Sequence, residues 1–301
     1  MIKSYPKILA LAGRYFDLIK GKRVELTEKY DGSAFAYGKD REGNLYMRSK
    51  GANLYPDGNV QDLFRPAVEH VLSIQHTLPL DTVFYGETLK SERHNTLKYN
   101  SIPRNHIALY GMTDFERTMA YDYGYMVIAA REMEVDCVPL LGYYTFNSTD
   151  EVLELLGKES NLGGPEMGGV VLKDYSAPME FSGMVYPFTA LKLVSEKFKE
   201  VHKSNPDWTP NKSKLENLLE RYRTEARWEK AVQHLKERGE FTGEYKDIGA
   251  LIREIHLDLV TEEKDNFKEA LYDIYQKDWK NIATRGMPEW FKTDYLLREG
   301  T

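Results

Sequence analysis

The chain has few of the features that mark secreted, membrane-spanning or uniformly basic proteins. Its 301 residues contain one cysteine, Cys137, which excludes an internal disulfide framework and fits a reducing compartment. No apolar run approaches the length of a spanning helix, and charges interrupt the N-terminal residues, so we expect neither a membrane span nor a secretory signal. The net charge is −6, which argues against a uniformly basic nucleic-acid coat. A cytoplasmic globular protein without a membrane partner is expected.

The charges are distributed unevenly along the chain. Residues 1–50 carry 11 basic and 6 acidic side chains, and residues 189–240 carry 12 and 9. Residues 101–188 carry 5 basic and 13 acidic side chains. Folding could gather the two basic stretches around one cleft, but ordinary variation of a solvated surface gives the same distribution.

The first two hundred residues combine short β-type runs with a few helical patterns. Helices are predicted over 60–77, 116–131 and 150–156. The run over 24–30 is followed by an Asp31-Gly32 turn and a second apolar run, as in a hairpin. Because hairpins and scattered helices replace a regular β-α-β alternation, we expect an α+β fold with antiparallel sheets. The predicted strands span 24–30, 44–49, 82–87, 106–112, 168–173 and 189–194.

The pattern changes after Lys203. Pro206 and Pro210 lie in a short polar stretch that is typical of a domain boundary. Beyond it, apolar residues recur at helical spacing, the first such stripe running from Leu215 to Ala226. The sequence therefore predicts a first domain over 1–204 and a small all-helical domain over 207–301.

The residues that suggest chemistry begin with Lys29-Tyr30-Asp31-Gly32. A lysine amine is a nucleophile only when it is neutral, so neighbouring cations or a metal would have to lower its pKa. A cleft that holds a triphosphate would supply such cations. The plainer interpretation is a solvated lysine at the end of a strand that leads into an Asp-Gly turn.

Further motifs follow in a fixed order, and each is weak when taken alone. The ordered set, over about residues 20–200, resembles the covalent nucleotidyltransferases, which are the polynucleotide ligases and messenger-RNA capping enzymes. The resemblance implies that residues 1–204 form a nucleotidyltransferase (adenylation) domain. The motifs are Arg48-Ser49-Lys50-Gly51, Tyr85-Gly86-Glu87, Ile107-Ala108-Leu109-Tyr110, Gly169-Val170-Val171-Leu172-Lys173 and Leu191-Lys192-Leu193.

The resemblance implies roles for the residues around the lysine. Lys29 would attack the α-phosphate of ATP, expel pyrophosphate and retain AMP. Glu28 would accept a hydrogen bond from the amino group of the base, a contact that suits adenine and guanine alike. Asp31 and Gly32 complete the nucleotide-binding motif of which Lys29 is the nucleophile.

Other matching positions imply the rest of the site. Arg48 would lie near the ribose or the end being sealed, and Glu87 would contact the ribose or a metal-bound water. Tyr110 would stack on the base, while Lys173 and Lys192 would hold the α-phosphate. The implied cofactors are ATP and Mg²⁺, with Mn²⁺ as a substitute. Taken singly, Glu87 could be a capping acid, Tyr110 a core aromatic and Lys192 one half of an ion pair.

Two positions depart from the pattern of the resembled family. Gly168 stands where a glutamate usually helps to bind a divalent metal, and Glu166 is the nearest substitute. Val194 stands where a second lysine is common, and Lys197 is the nearest replacement. We expect the two departures to affect how the chain binds a metal and how it positions pyrophosphate.

The helical C-terminal region favours an RNA ligase, because DNA ligases and capping enzymes normally continue into a β-rich oligonucleotide-binding fold. The stretch over 90–111 is also similar to phage-type RNA ligases. We therefore expect an ATP-dependent RNA ligase that repairs RNA ends or a nicked duplex, joining a 5′-phosphate to a 3′-hydroxyl through a lysyl-AMP intermediate. The alternatives are a DNA nick ligase, a capping guanylyltransferase, or a non-catalytic protein that binds RNA ends or nucleotides.

Overall fold

The computed structural model describes residues 1–11, 13–55, 58, 60–194 and 213–295. The chain divides into two compact units. The first comprises Met1–Lys199 together with Gln233–Thr242, and the second comprises Glu200–Val232 and Gly243–Thr301. The boundary expected at residues 204–207 lies outside the described residues.

Two five-stranded sheets form the frame of the first unit. The first sheet has the strand order β1-β12-β9-β2-β8, and the second has the order β4-β3-β5-β6-β7. A separate hairpin pairs β10 with β11. In chain order the strands are β1 (Leu9–Ala10), β2 (Arg23–Glu28), β3 (Ser33–Lys39), β4 (Leu45–Ser49), β5 (Thr82–Thr88), β6 (Ile107–Asp114), β7 (Asp136–Cys137), β8 (Leu140–Thr145), β9 (Gly169–Asp174), β10 (Met179–Phe181), β11 (Met184–Tyr186) and β12 (Thr189–Val194).

Most neighbouring strands are antiparallel, and the short strands β1 and β7 instead pair in parallel with β12 and β6. Strand β9 lies between β12 and β2, and all six of its residues are buried. Its sequence is a continuous run of β-branched and aliphatic residues that ends in a lysine and an aspartate, as suits a strand covered on both faces. The predicted α+β class with antiparallel sheets is confirmed, and each of the six predicted strands is present within two residues at either end.

The predicted hairpin at Asp31-Gly32 is wrong, because β2 and β3 belong to different sheets. After β2, the backbone amide of Lys29 donates to the carbonyl of Gly169 on β9, at 2.9 Å. Gly32 also lacks the positive φ that the usual two-residue hairpin turns require. The chain therefore crosses from the first sheet to the second at Lys29–Gly32, where a hairpin would have kept both strands in one sheet.

The helices of the first unit are shorter than the sequence pattern predicts. They are α1 (Arg65–Ser73), α2 (Tyr123–Glu132) and α3 (Thr149–Leu153), with 3₁₀ turns at Gly13–Leu18, Gln75–Thr77 and Arg104–His106. Helix α2 begins late because Asp122 caps it, accepting from the amides of Gly124 and Tyr125. Ser148 caps α3 in the same way, accepting from the amide of Glu151.

Each sheet has its own hydrophobic core. On the second sheet, Phe35, Tyr37 and Phe84 pack with residues of α1 such as Val68 and Val71. On the first sheet, the core is aliphatic and includes Val24, Leu26, Leu172 and Leu191. The rings of Tyr37 and Phe84 lie 5.4 Å apart, which joins β3 to β5 through an aromatic pair as well as through hydrogen bonds.

The second unit is helical where the structure describes it. The helices that follow β12 are α4 (Lys214–Glu220), α5 (Glu225–Arg238), α6 (Ile248–Asp258), α7 (Lys264–Ala283) and α8 (Met287–Trp290). The apolar stripe predicted from Leu215 to Ala226 is interrupted, since α4 ends at Glu220 and α5 begins at Glu225. Gln233–Arg238, at the end of α5, belongs to the first unit.

A buried ion-pair network anchors α5 within the second unit. Arg227, with 1% of its side chain exposed, pairs with Asp258 and with Glu263, and Lys230 also reaches Asp258 at 2.7 Å. Burying a guanidinium is costly unless it is paired, so these carboxylates offset the cost. No helix within the described ranges is long and apolar enough to cross a membrane.

The close approach of β9 to β12 gives a test of the fold. A Cβ added at Gly169 would lie 2.5 Å from the carbonyl oxygen of Leu193, which is backbone and cannot rotate away. We expect Gly169→Ala to lower the free energy of unfolding by about 1–3 kcal/mol, as overpacking does. Gly157→Ala is the control, because no heavy atom lies within 4 Å of its added Cβ. Equal urea midpoints for the two variants would contradict the strand packing described here.

Candidate functional site

The segment Lys29–Gly32, here called the lysine loop, is held by residues 95–99. The carboxylate of Asp31 accepts the backbone amides of Thr96 and Leu97, at 2.9 and 2.8 Å. The amide of Asp31 in turn donates to the hydroxyl of Tyr99, at 2.8 Å. Charge-assisted hydrogen bonds to backbone amides are among the stronger ones. Asp31 therefore fixes the lysine loop against residues 96–99.

Gly32 is required where the lysine loop meets β5. A Cβ added there would lie 2.7 Å from the carbonyl oxygen of Thr88 and 2.9 Å from a methyl group of Leu89. The Gly32 carbonyl accepts from the side-chain amides of Asn95 and Gln233, at 2.7 and 3.2 Å. The loop thus packs directly against the strand that carries Glu87.

Glu87 is the centre of a cluster of charges. Its side chain is half-buried on β5, and its Oε2 atom is buried without a hydrogen-bond partner among the described residues. Burial raises the pKa of the Glu87 carboxyl to about 8, with Lys29 and Lys50 acting in the opposite direction. The negative charges of Glu237 and Asp31 raise the pKa further. The structure thus brings Lys29, Asp31 and Glu87 together, as the sequence motifs predict, and adds Lys50 and Glu237.

Lys29 is half-buried, and its Nζ donates to the carbonyl of Tyr30 at 3.4 Å. The charges of Lys29 and Glu87 act on one another.

Glu28 contacts the loop around residue 160. Its carboxylate accepts from the hydroxyl of Ser160 at 2.5 Å and from the amide of Asn161 at 3.1 Å. Burial raises the pKa of Glu28, while these two hydrogen bonds lower it. The last residue of β2 is thereby joined to the segment that precedes β9, and its oxygens keep lone pairs that could accept a further donor.

Lys173 forms an ion pair inside the core, away from the lysine loop. Its Nζ lies 3.3 Å from Oε1 of Glu25, and both side chains are 1% exposed. The same Nζ donates to the carbonyl of Tyr110 at 2.5 Å. Lys173 therefore links β9 to β2 and to β6 in the structure without nucleotide.

Tyr110 is half-buried and belongs to an aromatic cluster around Tyr5. The two rings meet edge to face, with centroids 5.1 Å apart, and Tyr5 also packs on Tyr85 and Phe188. Burial raises the pKa of Tyr110 well above its ordinary value. The N-terminal segment thus packs against the Tyr110 ring.

Arg48 holds backbone carbonyls. Its guanidinium donates to the carbonyls of Ile2, Ser49 and Lys50, at 2.8, 3.1 and 3.2 Å. These bonds join the end of β4 to the N-terminal segment. Arg48 contacts the backbone of Lys50, and the charge of Lys50 lowers the pKa of Glu87.

The remaining sequence-predicted positions surround β9 and β12. Lys192 is half-buried on β12, opposite Val171, and Val194 lies opposite Gly169. A Cβ at Gly168 would lie 3.1 Å from a methyl group of Leu97, so a glutamate there would have to displace that side chain. The fold thus gives a packing reason for one departure from the family pattern.

Of the two substitutes suggested for these departures, the structure describes one. Glu166 is exposed, and its backbone forms an isolated bridge with Glu159. Lys197 lies outside the described residues.

Ser33, His94 and Glu237 form a hydrogen-bonded chain that the sequence analysis missed. The Ser33 hydroxyl donates to Oε1 of Glu237 at 2.7 Å and lies 2.9 Å from Nε2 of His94. The backbone amide of Lys90 donates to Nδ1 of His94 at 2.9 Å, and burial lowers the pKa of His94 to about 4. Neutral His94 therefore carries its proton on Nε2 and donates it to Ser33. No sequence signal linked residue 237 to residue 33, because 204 positions separate them.

Within the described part of the chain, no group of three or more His, Cys, Asp or Glu side chains is arranged to hold a metal ion. Magnesium in phosphoryl-transfer sites commonly uses one or two protein carboxylates and completes its shell with phosphate and water. The buried, unpartnered oxygen of Glu87 is a donor of the required kind. A metal that arrives with a triphosphate is therefore compatible with this site.

Comparison with known proteins gives a family and a fold. The sequence model of the RNA ligase family matches residues 22–194. Among solved structures, a Naegleria gruberi RNA ligase with pyrophosphate is 15% identical, with a TM-score of 0.51, and the alignment covers 65% of this chain and 57% of that one. A glutamate-to-alanine variant of the Naegleria gruberi RNA ligase with ATP and manganese is 14% identical, with a TM-score of 0.49, covering 66% and 57%. No curated protein sequence gives a significant match.

The buried Lys173–Glu25 pair gives a prediction about the site's frame. We expect Glu25→Gln to lower the free energy of unfolding by about 3–5 kcal/mol, because it leaves a buried ammonium without its counter-charge. The double variant Glu25→Gln with Lys173→Met should recover most of that loss, since neither charge remains. Urea denaturation of the single and double variants measures both effects. A double variant no more stable than Glu25→Gln alone would rule out the ion pair as the cause.

Proposed function

Because the chain belongs to the RNA ligase family, we propose that it is an ATP-dependent ligase that joins RNA ends. The observation that carries the proposal is the cluster of Lys29, Lys50 and Glu87 beside a lysine loop fixed by Asp31. The fold similarity to the Naegleria ligase supports the same architecture. This chain spans 57% of the length of that protein, so the activity, substrates and partners are our proposals.

The first step of the proposed reaction is the transfer of AMP to Lys29. Its neutral amine attacks the α-phosphorus of ATP, the new N–P bond forms, and the bond to the bridging oxygen of pyrophosphate breaks. The leaving pyrophosphate carries away the electron pair of the broken bond. The nitrogen of Lys29 then loses one of its two protons to solvent or to a neighbouring carboxylate. The rigidity of the lysine loop favours this step, because orientation of the nucleophile is a large part of such a rate enhancement.

Each neighbouring residue would contact a different part of the nucleotide. Glu28 accepts from the base amino group with its remaining lone pairs, and Tyr110 offers a ring face to the base. Arg48 would lie near the ribose or the end being sealed, and Lys192 would contact the α-phosphate. Lys173 would have to exchange its core contacts with Glu25 and Tyr110 to reach a phosphate.

A divalent ion, Mg²⁺ or Mn²⁺, would neutralise charge on the phosphates when it is bound. Glu87 is the described carboxylate that would hold it, directly or through water. Gly168 brings no carboxylate to this place, and Glu166 would do so only if its loop moved toward the nucleotide. Among the described residues, Oε2 of Glu87 is buried and has no hydrogen-bond partner, so it could contact the ion.

Two further transfers would complete the cycle. The 5′-phosphate of an RNA end attacks the phosphorus of the lysine-bound AMP, which releases the lysine and forms an RNA-adenylate. A 3′-hydroxyl then attacks the 5′-phosphate and displaces AMP as the two ends are joined. We propose residues 1–204 as the nucleotidyltransferase domain and residues 207–301 as a helical C-terminal domain. A cytoplasmic location and a part in RNA repair stay predictions from the sequence.

The first test is the transfer of label from ATP carrying ³²P at its α-phosphate. Wild-type protein incubated with Mg²⁺ should retain label after denaturing electrophoresis, and Lys29→Ala should lose it by at least about 100-fold, since the nucleophile is gone. Lys20→Ala, which removes an exposed lysine, should label like the wild type. Label that persists on Lys29→Ala would refute the assignment. A wild type that binds ATP and never becomes labelled would favour the non-catalytic alternative.

The second test separates RNA joining from the alternatives. Adenylated protein is mixed with matched nicks whose 3′-hydroxyl strand is RNA or DNA, and the sealed product is measured. We expect sealing of the RNA nick at least about tenfold faster, because the 2′-hydroxyl is what distinguishes the two strands. Faster sealing of DNA would favour a DNA nick ligase. Label taken from GTP in place of ATP would favour a capping enzyme.

A further inference from the structure

Residues beyond the family match contribute directly to the surroundings of the lysine loop. The family model ends at residue 194, whereas Gln233–Thr242 groups with the first unit. From this segment, Gln233 donates to the carbonyl of Gly32 at 3.2 Å, and Glu237 accepts from the hydroxyl of Ser33 at 2.7 Å. The end of α5 thus contacts the last residue of the lysine loop and the first residue of β3.

Glu237 is buried, and its position is specified by its partners. The side chain belongs to a residue that is only 4% exposed. Its Oε1 accepts from Ser33 and also from Nε2 of Gln233, at 2.8 Å. Gln233 and Glu237 are four residues apart on α5, so they lie on one face of the helix. Burying a carboxylate is costly unless it is hydrogen-bonded, which makes this arrangement sensitive to the loss of either partner.

Two parts of the chain form hydrogen bonds with Gly32 and Ser33. His94 holds Ser33 from the side of residues 90–97, and Asn95 holds the carbonyl of Gly32 from that side as well. Glu237 and Gln233 hold the same two groups from the side of α5. Gly32 and Ser33 are therefore held from two directions, three and four residues after the nucleophile.

We propose that Glu237, supported by Gln233, is a positioning residue for Lys29 in the adenylation step. The inference rests on the proposed function and extends it to a part of the chain that carries no family motif. Glu237 acts through Ser33 and Gly32, and its hydrogen-bond acceptors matter more than its charge. A displacement of about 1 Å at a reacting group can lower a rate by about 100-fold. The adenylation rate is therefore expected to depend on a helix distant from the lysine in sequence.

Three variants separate this role from simple packing. Glu237→Gln keeps an oxygen that can accept from Ser33 and from Gln233, whereas Glu237→Ala removes it. Glu240→Ala is the matched control, since Glu240 lies in the same segment and pairs with Arg238 at the surface. Single-turnover labelling of each protein over a range of ATP concentrations gives a maximal rate and a half-saturating concentration.

We expect Glu237→Ala to lower the maximal labelling rate at least about tenfold, with less than about a threefold change in the half-saturating ATP concentration. Glu237→Gln and Glu240→Ala should stay within about threefold of the wild type. Equal losses in the Gln and Ala variants would overturn the proposal, because the charge would then be the cause. An unchanged maximal rate in Glu237→Ala would also overturn it.

A readout that needs no ligase activity keeps the inference separate from the proposed function. Amide hydrogen exchange of the peptide over residues 29–36 is measured in the wild type and in each variant. We expect faster exchange there in Glu237→Ala, with no change in Glu237→Gln or Glu240→Ala. Faster exchange in a chain that takes no label from ATP would mean that the proposed function fails while the structural coupling holds. Unchanged exchange in Glu237→Ala would overturn the coupling itself.

Discussion

The contact on which the candidate site depends is the pair of hydrogen bonds from the amides of Thr96 and Leu97 to the carboxylate of Asp31. At this point the chain leaves the first sheet and enters the second. A hairpin would have satisfied the turn by strand pairing, whereas in this crossover side chains hold part of the backbone. Tyr99 accepts the amide of Asp31, and Asn95 and Gln233 donate to the carbonyl of Gly32. The lysine is thus presented from a loop that is fixed by side chains.

The electrostatics of the site follow from the same crossover. Packing of Gly32 against the end of β5 brings Lys29 near Glu87, and the end of β4 brings Lys50 near it as well. Burial alone would keep a carboxylic acid neutral, and it does raise the pKa of Glu87 to about 8. Bound phosphate and metal would change this balance, since a cation beside Glu87 favours its ionised form. We therefore expect Glu87 to ionise when a cation binds beside it.

Much of the frame could be predicted from the sequence because its signals are local. Runs such as Val170-Val171-Leu172 and Thr189–Val194 have the composition of strands and form strands. The hairpin prediction failed because an Asp-Gly pair after a strand has the same local pattern whether the next strand joins the same sheet or another one. Both ends of α1 and the start of α2 were predicted too far out. Helix α2 was expected from residue 116, but it begins after its N-cap, Asp122.

The candidate site was predictable only as far as ordered motifs reach. Lys29, Asp31, Gly32 and Glu87 lie together as the resemblance implies, while Lys173 and Arg48 make contacts that no motif specifies. Glu237 could not be found from the sequence, because its partner Ser33 lies in another part of the chain. Long-range pairing of single polar side chains leaves no periodic signal.

We propose that the cluster of Lys29, Lys50 and Glu87 holds the nucleotide. A crystal structure with Mg²⁺ and α,β-methylene ATP, which cannot transfer AMP, would test this proposal. We expect the α-phosphate within about 3–3.5 Å of the Lys29 Nζ, the distance of a reactive arrangement, with Glu87 facing the ribose or the metal. Nucleotide bound elsewhere, with Lys29 facing solvent and Glu87 unchanged, would contradict it.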